Sequence, residues 1–203
     1  MAFFRRRGDR KAKSFDGALV EVHLNARLQP MHRGRLFEDP VIEALRAQGM
    51  RAVVYDAGTL MTHDRIESCD VAFAVPRERA DEGLEIIRQA LVRLGAPRGS
   101  TITMYGDELD PVGTTQGVVL RLGTIDTVDF TDDENVEHNW ALDALIGRMN
   151  AALGDEGSVW SWRVQDGSDV FVYGPSRLRL RELLAPQLAV DPLLRDAEII
   201  DFA

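Results

Sequence analysis

The stretch Ser100–Gly123, S-T-I-T-M-Y-G-D-E-L-D-P-V-G-T-T-Q-G-V-V-L-R-L-G, lies at the middle of the chain and separates two similar halves. Apolar residues predict a strand near each of its ends, Thr101–Tyr105 and Val118–Leu122. The residues between these strands are rich in types that favour turns, such as Gly106 and Pro111. We therefore interpret the stretch as the end of one folding unit and the start of the next.

The sequence of the first half predicts elements in the order strand, helix, strand, strand, helix, strand. Hydrophobic periodicity and helix-ending glycines place these elements, in order, at Ala18–Leu24, Asp39–Gly49, Arg51–Ala57, Ser68–Val75, Asp81–Gly95 and Thr101–Tyr105. In the first strand, the alternation puts Leu19, Glu21 and His23 on one face. The segment Asn25–Phe37 has no clear period and contains Pro30, so it is predicted to be a loop.

The second half predicts the same order. Its strands are Val118–Leu122, Ser158–Val164, Asp169–Tyr173 and Ala197–Phe202, with one helix from Asp132 or Asp133 to Gly154 and another at Ser176–Leu184, ended by Pro186. A short sequence echo supports the repeat, because Asp70–Pro76 resembles Asp169–Pro175 at an offset of 99 residues. A duplicated supersecondary unit is therefore expected.

Two βαββαβ units define an α+β fold of two tandem ferredoxin-like repeats, each an antiparallel sheet with its helices on one face. The predicted organisation is a flexible basic arm (1–17), a first unit (18–106), a connector (107–116) and a second unit (117–203). Two such units can pack their open sheet faces together or extend one continuous sheet, and both arrangements fit the sequence. The fold hosts many unrelated functions and does not select one.

Composition and charge exclude several classes of protein. The chain carries a net charge of −9, and residues 1–13 alone carry +5, which leaves −14 on the remaining residues. Because these residues are strongly acidic, they repel phosphate backbones. Nucleic-acid binding by the folded part is therefore not expected. No window resembles a membrane span or a secretory signal, and the single cysteine fits a reducing cytoplasm. We therefore expect a cytoplasmic protein, whose oligomeric state the sequence leaves open.

Few side chains are arranged for catalysis or metal binding. Cys69 begins an apolar strand, where a small buried thiol is the ordinary occupant, and burial raises its pKa. The histidines, His23, His32, His63 and His138, lack the close spacing of a zinc motif. We predict no catalytic residue, no metal site and no cofactor.

Two acidic clusters in predicted loops are the candidate binding site. We predict that the protein is non-catalytic and binds a protein partner, expected to be basic, in an immunity-type or regulatory role. The contacting residues would be Asp107, Glu108, Asp110, Asp132, Asp133 and Glu134. Two alternatives stay open: a small-molecule sensor with its ligand in the cleft between the halves, and an enzyme using histidine and acidic residues in that cleft.

Overall fold

The computed structural model describes residues 17–62, 65–108, 111–122, 133–164 and 168–202, with the backbone alone at 107–108, 133–141, 164 and 168. The first half comprises β1 (Ala18–Leu24), α1 (Pro30–Arg33), α2 (Asp39–Ala47), β2 (Val53–Thr62), β3 (Arg65–Val75), α3 (Ala80–Arg93), β4 (Thr101–Met104) and β5 (Asp107–Glu108). The second comprises β6 (Gln116–Leu122), α4 (Asp133–Leu153), β7 (Ser158–Val164), β8 (Ser168–Gly174), α5 (Arg177–Val190) and β9 (Glu198–Asp201).

Each half forms its own antiparallel sheet. The first sheet has the strand order β2-β3-β1-β4-β5 and the second has the order β7-β8-β6-β9. Without the short β5 and α1, both halves follow the order βαββαβ, and the central strands of each sheet are the first and third of its unit. The predicted fold class, two ferredoxin-like α+β repeats, is confirmed.

The two sheets also share their register. His23 lies opposite Asp70 in the first sheet, and Arg121 lies opposite Asp169 in the second, so the sequence echo marks structurally equivalent positions. A β-bulge recurs as well, at Tyr55 in β2 and at Trp160 in β7. Bulges insert one residue at a defined place in a ladder, so a shared bulge is evidence of duplication that is independent of sequence identity.

Each sheet buries one face against its two long helices. In the second half, Leu142, Leu145 and Met149 of α4 pack with the leucines of α5 and with alternate residues of β6 and β8. In the first half, alternate residues of β1 and β3 pack against α2 and α3. The side of each sheet that faces away from its helices is called its open face below.

The two halves meet through the open face of the second sheet. This face packs against the segment that follows β1, so neither predicted arrangement of the two sheets is observed in the described residues. The backbone N–H of Arg27 donates to the Tyr173 hydroxyl at 2.8 Å, and the N–H of Gln29 donates to the Ser161 Oγ at 3.3 Å. Rings fill the contact, with Trp160 stacked on Tyr173 at 4.2 Å between centroids.

Several predicted element boundaries are wrong, and β2, predicted to end at Ala57, continues to Thr62. Pro30 begins α1 instead of lying in a loop, because its missing N–H costs nothing at a first helical position. One turn of π-helix at Gly34–Glu38 then joins α1 to α2, and its wider period hides the helical pattern in the sequence. Pro186 does not end α5, which continues to Val190 with Leu188 packed against the second core.

Candidate functional site

The open face of the first sheet carries a row of acidic residues, the acidic row. Cross-strand pairing sets Glu108, Thr103, Glu21, Ala72 and Asp56 side by side across the five strands. The small residues Thr103 and Ala72 separate the acidic positions, and neighbouring strands lie about 4.8 Å apart, so successive acidic positions are about 10 Å apart. Glu21 and Asp56 are exposed.

A histidine–aspartate pair lies in the next row of the same face. The His23 Nδ1 is 2.8 Å from an Asp70 carboxylate oxygen, and both side chains are about two-fifths exposed. The hydrogen bond to Asp70 raises the pKa of His23 above its ordinary 6.5, against a smaller effect of burial. The pair therefore keeps His23 protonated at higher pH than a free histidine.

The equivalent row of the second sheet is apolar and buried. The register places Val119 at the position of Glu21, Phe171 at that of Ala72 and Ser161 at that of Asp56. Val119, Phe171 and Ser161 are all buried against the first half. The duplicated sheet thus uses this face as an interface in the second half and exposes it, with acidic side chains, in the first.

The bulged aromatic residues differ in the same way. Trp160 is 8% exposed and lies between Tyr173 and Phe37, whereas its counterpart Tyr55 is 54% exposed. Leu60 on the first open face is 53% exposed as well. An aromatic ring and a leucine beside carboxylates give this face the mixed apolar and charged character of protein-binding surfaces.

The structure places one predicted site residue, Glu108, in the acidic row by its backbone register, and Asp107 precedes it in β5. Asp110 and Asp132 lie outside the described residues, and for Asp133 and Glu134 the backbone alone is described, at the start of α4. Glu21, Asp56 and Asp70 were not predicted as site residues. The alternation of β1 puts Glu21 and His23 on one face, and this is the signal that the sequence offers for them.

The contact between the halves is a buried polar and aromatic cluster, so a ligand there would have to displace packed rings. His32 is 3% exposed, and its Nδ1 is 2.9 Å from the Ser161 Oγ. Ser161 is fully buried, so a substrate cannot reach it, and the contact between His32 and Ser161 is structural. Cys69 is also fully buried, and burial raises the pKa of its thiol.

A separate cleft of about 450 Å³ lies over the start of α3, lined by residues 77–82 and Tyr105. Two of its charged side chains bind each other, since Arg79 donates to Glu82 through two nitrogens at 2.5 and 2.7 Å. The described side chains include no group of three or more His, Cys, Asp or Glu residues placed to hold a metal ion. No helix in the described parts of the chain has the length and apolar character to cross a membrane.

The two described histidines predict opposite effects of pH on stability. Burial, with a smaller contribution from Arg35, lowers the pKa of His32 below 6.5. The unfolded chain then binds this proton more readily, so stability falls as pH drops below about 6.5. The raised pKa of His23 works the other way: its stabilisation is complete below about 6.5 and is lost as pH rises through the folded value.

We expect the His32→Gln variant to lose less stability than the wild type between pH 6.5 and 5, with denaturant midpoints as the measurement. The His23→Gln variant is the control: the stabilisation that it gives up is complete below about pH 6.5, so its curve is expected to run parallel to the wild type between pH 6.5 and 5 and to differ in slope only above that range. The carboxylates that titrate in this range are common to all three proteins. Parallel curves for the wild type and His32→Gln would contradict the assignment.

Comparison with known proteins gives weak structural likenesses. No protein-family model matches the sequence, and no curated protein matches it. The regulatory subunit of aspartate kinase from Thermus thermophilus is 15% identical with a TM-score of 0.28, covering 84% of this chain and 93% of its own. An unknown protein from Galdieria sulphuraria is 12% identical with a TM-score of 0.32, covering 92% of this chain and 98% of its own.

A putative monooxygenase from Fusobacterium nucleatum subsp. nucleatum is 10% identical with a TM-score of 0.26, and the match covers 92% of each chain. All three TM-scores are under 0.5 and all three identities are under 25%. What these proteins do therefore carries no weight for the function of this chain, which has to be inferred from its own residues.

Proposed function

We propose that this protein is a non-catalytic binding protein that takes a basic protein partner on the open face of its first sheet. One observation carries the proposal: the face that is a buried interface in the second half is exposed and acidic in the first. A repeat that has kept the register and the bulge but exchanged apolar for charged residues is suited to contact a separate, charged partner.

The spacing of the charges favours a macromolecule over a small ligand. Glu108, Glu21 and Asp56 extend across five strands at intervals of about 10 Å, farther than one small cation spans. A segment with lysine or arginine at several positions matches this spacing. The predicted partner residues Asp107, Asp110, Asp132, Asp133 and Glu134 remain part of the proposal as further acidic contacts.

Tyr55 is the proposed anchor of the interface. Its counterpart Trp160 contacts the first half through the Phe37 ring, so the bulge presents an aromatic ring to whatever covers the sheet. Aromatic residues dominate binding energy when a partner buries them, and charges around them govern the rate of association. The partner is therefore expected to bring an apolar side chain to Tyr55 and cationic side chains to the acidic row.

The proposal predicts weaker binding of a cationic probe when the acidic row is neutralised. A fluorescent oligo-lysine peptide is titrated into the wild type and into Glu21→Gln/Asp56→Asn. The variant is expected to bind about 2- to 30-fold more weakly at low salt, because two exposed ion pairs of about 0.2–1 kcal/mol each are lost. The difference shrinks as salt rises from about 0.1 to 1 M and the Debye length falls from about 10 to 3 Å.

The matched control is Glu43→Gln/Asp155→Asn, which removes two exposed carboxylates from α2 and from the turn after α4. Both double variants change the net charge equally, so a difference between them reports on the site and not on overall charge. Equal loss of binding in the two variants would reduce the acidic row to a solvated surface and overturn the proposal.

A further inference from the structure

The outer strand β2 is a long and weakly protected sheet edge. In the described residues β2 pairs with β3 on one side, and no strand lies on its other side. It is ten residues long, and four of its large apolar side chains are exposed: Val53 (39%), Tyr55 (54%), Leu60 (53%) and Met61 (51%). Such an edge presents a row of backbone N–H and C=O groups to any extended segment that approaches it.

The sequence of β2, V-V-Y-D-A-G-T-L-M-T, lacks the usual protection of an edge. It contains neither lysine nor proline, and its single charged residue is Asp56. Its register with β3 shifts at Tyr55 and again between Leu60 and Met61, so the stretch Asp56–Leu60 between the shifts is regular. That regular stretch is the part of the edge on which another strand can continue the ladder, once the Asp56 carboxylate releases the Ala57 N–H from which it accepts at 2.9 Å.

We propose that β2 pairs in antiparallel orientation with β2 of a second copy of this chain, joining two first sheets into one. A reversed copy centred on Gly58 sets Gly58 opposite its own copy, Ala57 opposite Thr59 and Asp56 opposite Leu60, so that facing residues lie on the same face of the joined sheet. Glycine then lies at the two-fold axis, where a Cβ would have open space, and each Asp56 carboxylate meets a leucine instead of a second carboxylate.

Electrostatic repulsion opposes the binding of a second copy to the open face but not to the β2 edge. The chain carries −9, so two copies repel wherever their acidic surfaces meet, and the acidic row placed against itself sets like charges together. β2 carries one charge in ten residues and is free of this repulsion along most of its length. Edge pairing leaves the acidic row of each open face uncovered, so a failed pairing would leave the proposed function standing.

The molar mass in solution tests this pairing by sedimentation equilibrium over a range of concentrations. The wild type is expected at about twice the 22.6 kDa of the chain, and Leu60→Lys/Met61→Lys at the mass of one chain. The control Val92→Lys/Leu178→Lys adds the same charges at exposed positions on α3 and α5 and is expected to remain dimeric.

Three results would overturn the pairing: a wild type with the mass of one chain, a dimer that is unchanged by the β2 substitutions, or dissociation of both double variants alike. The first leaves the edge to some other partner, the second places the interface elsewhere, and the third reduces the effect to net charge. Circular dichroism of each variant establishes that it is folded, so loss of the dimer is not confused with unfolding.

Disulfide cross-linking tests the orientation independently. A Cβ added at Gly58 meets nothing within 4 Å, and the native Cys69 is fully buried, so Gly58→Cys introduces an accessible thiol. Facing residues of antiparallel strands have Cβ atoms about 4.5–5.5 Å apart near the axis, close to the distance a disulfide requires. Gly58→Cys is expected to form a covalent dimer on mild oxidation, whereas Val92→Cys is not. Failure of Gly58→Cys to cross-link would rule out this register.

Discussion

Replacing Trp160 with alanine is expected to lower the free energy of unfolding by about 3–5 kcal/mol, as large-to-small changes of buried aromatic residues do. Trp160 is 8% exposed, stacks on Tyr173 at 4.2 Å and meets the edge of Phe37 at 5.5 Å between ring centroids. Alanine removes the ring that links the first half to the second sheet and leaves a cavity. Urea unfolding followed by far-ultraviolet circular dichroism measures the loss.

Tyr55→Ala is the matched control, because Tyr55 occupies the same bulge in the first sheet. At 54% exposure it loses little packing, and a change within about 0.5 kcal/mol is expected. The two variants thus compare one structural position in its buried and its exposed form. Equal destabilisation by both would mean that the second open face is not the interface between the halves.

Replacing Arg33 with methionine is expected to lower the free energy of unfolding by about 3–5 kcal/mol, because it leaves the mostly buried Glu38 carboxylate, 17% exposed, without its partner. The Arg33 Nε donates to the Glu38 Oε1 at 2.5 Å, and the side chains are 7% and 17% exposed. A second guanidinium nitrogen donates to the Thr59 Oγ1 at 2.8 Å, which ties the π-helical turn to β2. Chemical unfolding at neutral pH measures the cost.

The double variant Arg33→Met/Glu38→Met is the control for this pair. Removing both charges together removes the desolvation cost of both, so the double variant is expected to be much more stable than Arg33→Met alone. If the double variant is as unstable as the single one, the arginine acts through its packing and its bond to Thr59, and not by compensating Glu38.

The candidate site could be predicted only in part. Glu108 was predicted from charge density in a loop, and the register places it in the acidic row. Asp56 lies in a strand that the sequence predicts, but its alignment with Glu21 depends on the bulge at Tyr55. A one-residue shift in a strand moves every later side chain to the other face, so no local pattern states which residues align across strands.

The sequence by itself determined the elements and their repetition. Apolar spacing every two residues in β1 and every three to four in α3 and α4 marks which residues form strands and helices, since these periods follow from backbone geometry alone. The echo of Asp70 in Asp169 marked equivalent positions because both belong to the same strand of the repeat. Local physics therefore sufficed for the βαββαβ order.

Tertiary structure alone decided which open face is covered. Val119 and Glu21 occupy equivalent positions on equivalent strands, and one is buried because the segment after β1 lies on its sheet while the other is exposed. The same packing made Pro30 the start of a helix and fixed the π-helical turn, since His32 and Phe37 are buried against the second sheet and Arg33 is bonded to β2. Burial depends on residues distant in sequence, and that information is absent from any single stretch of the chain.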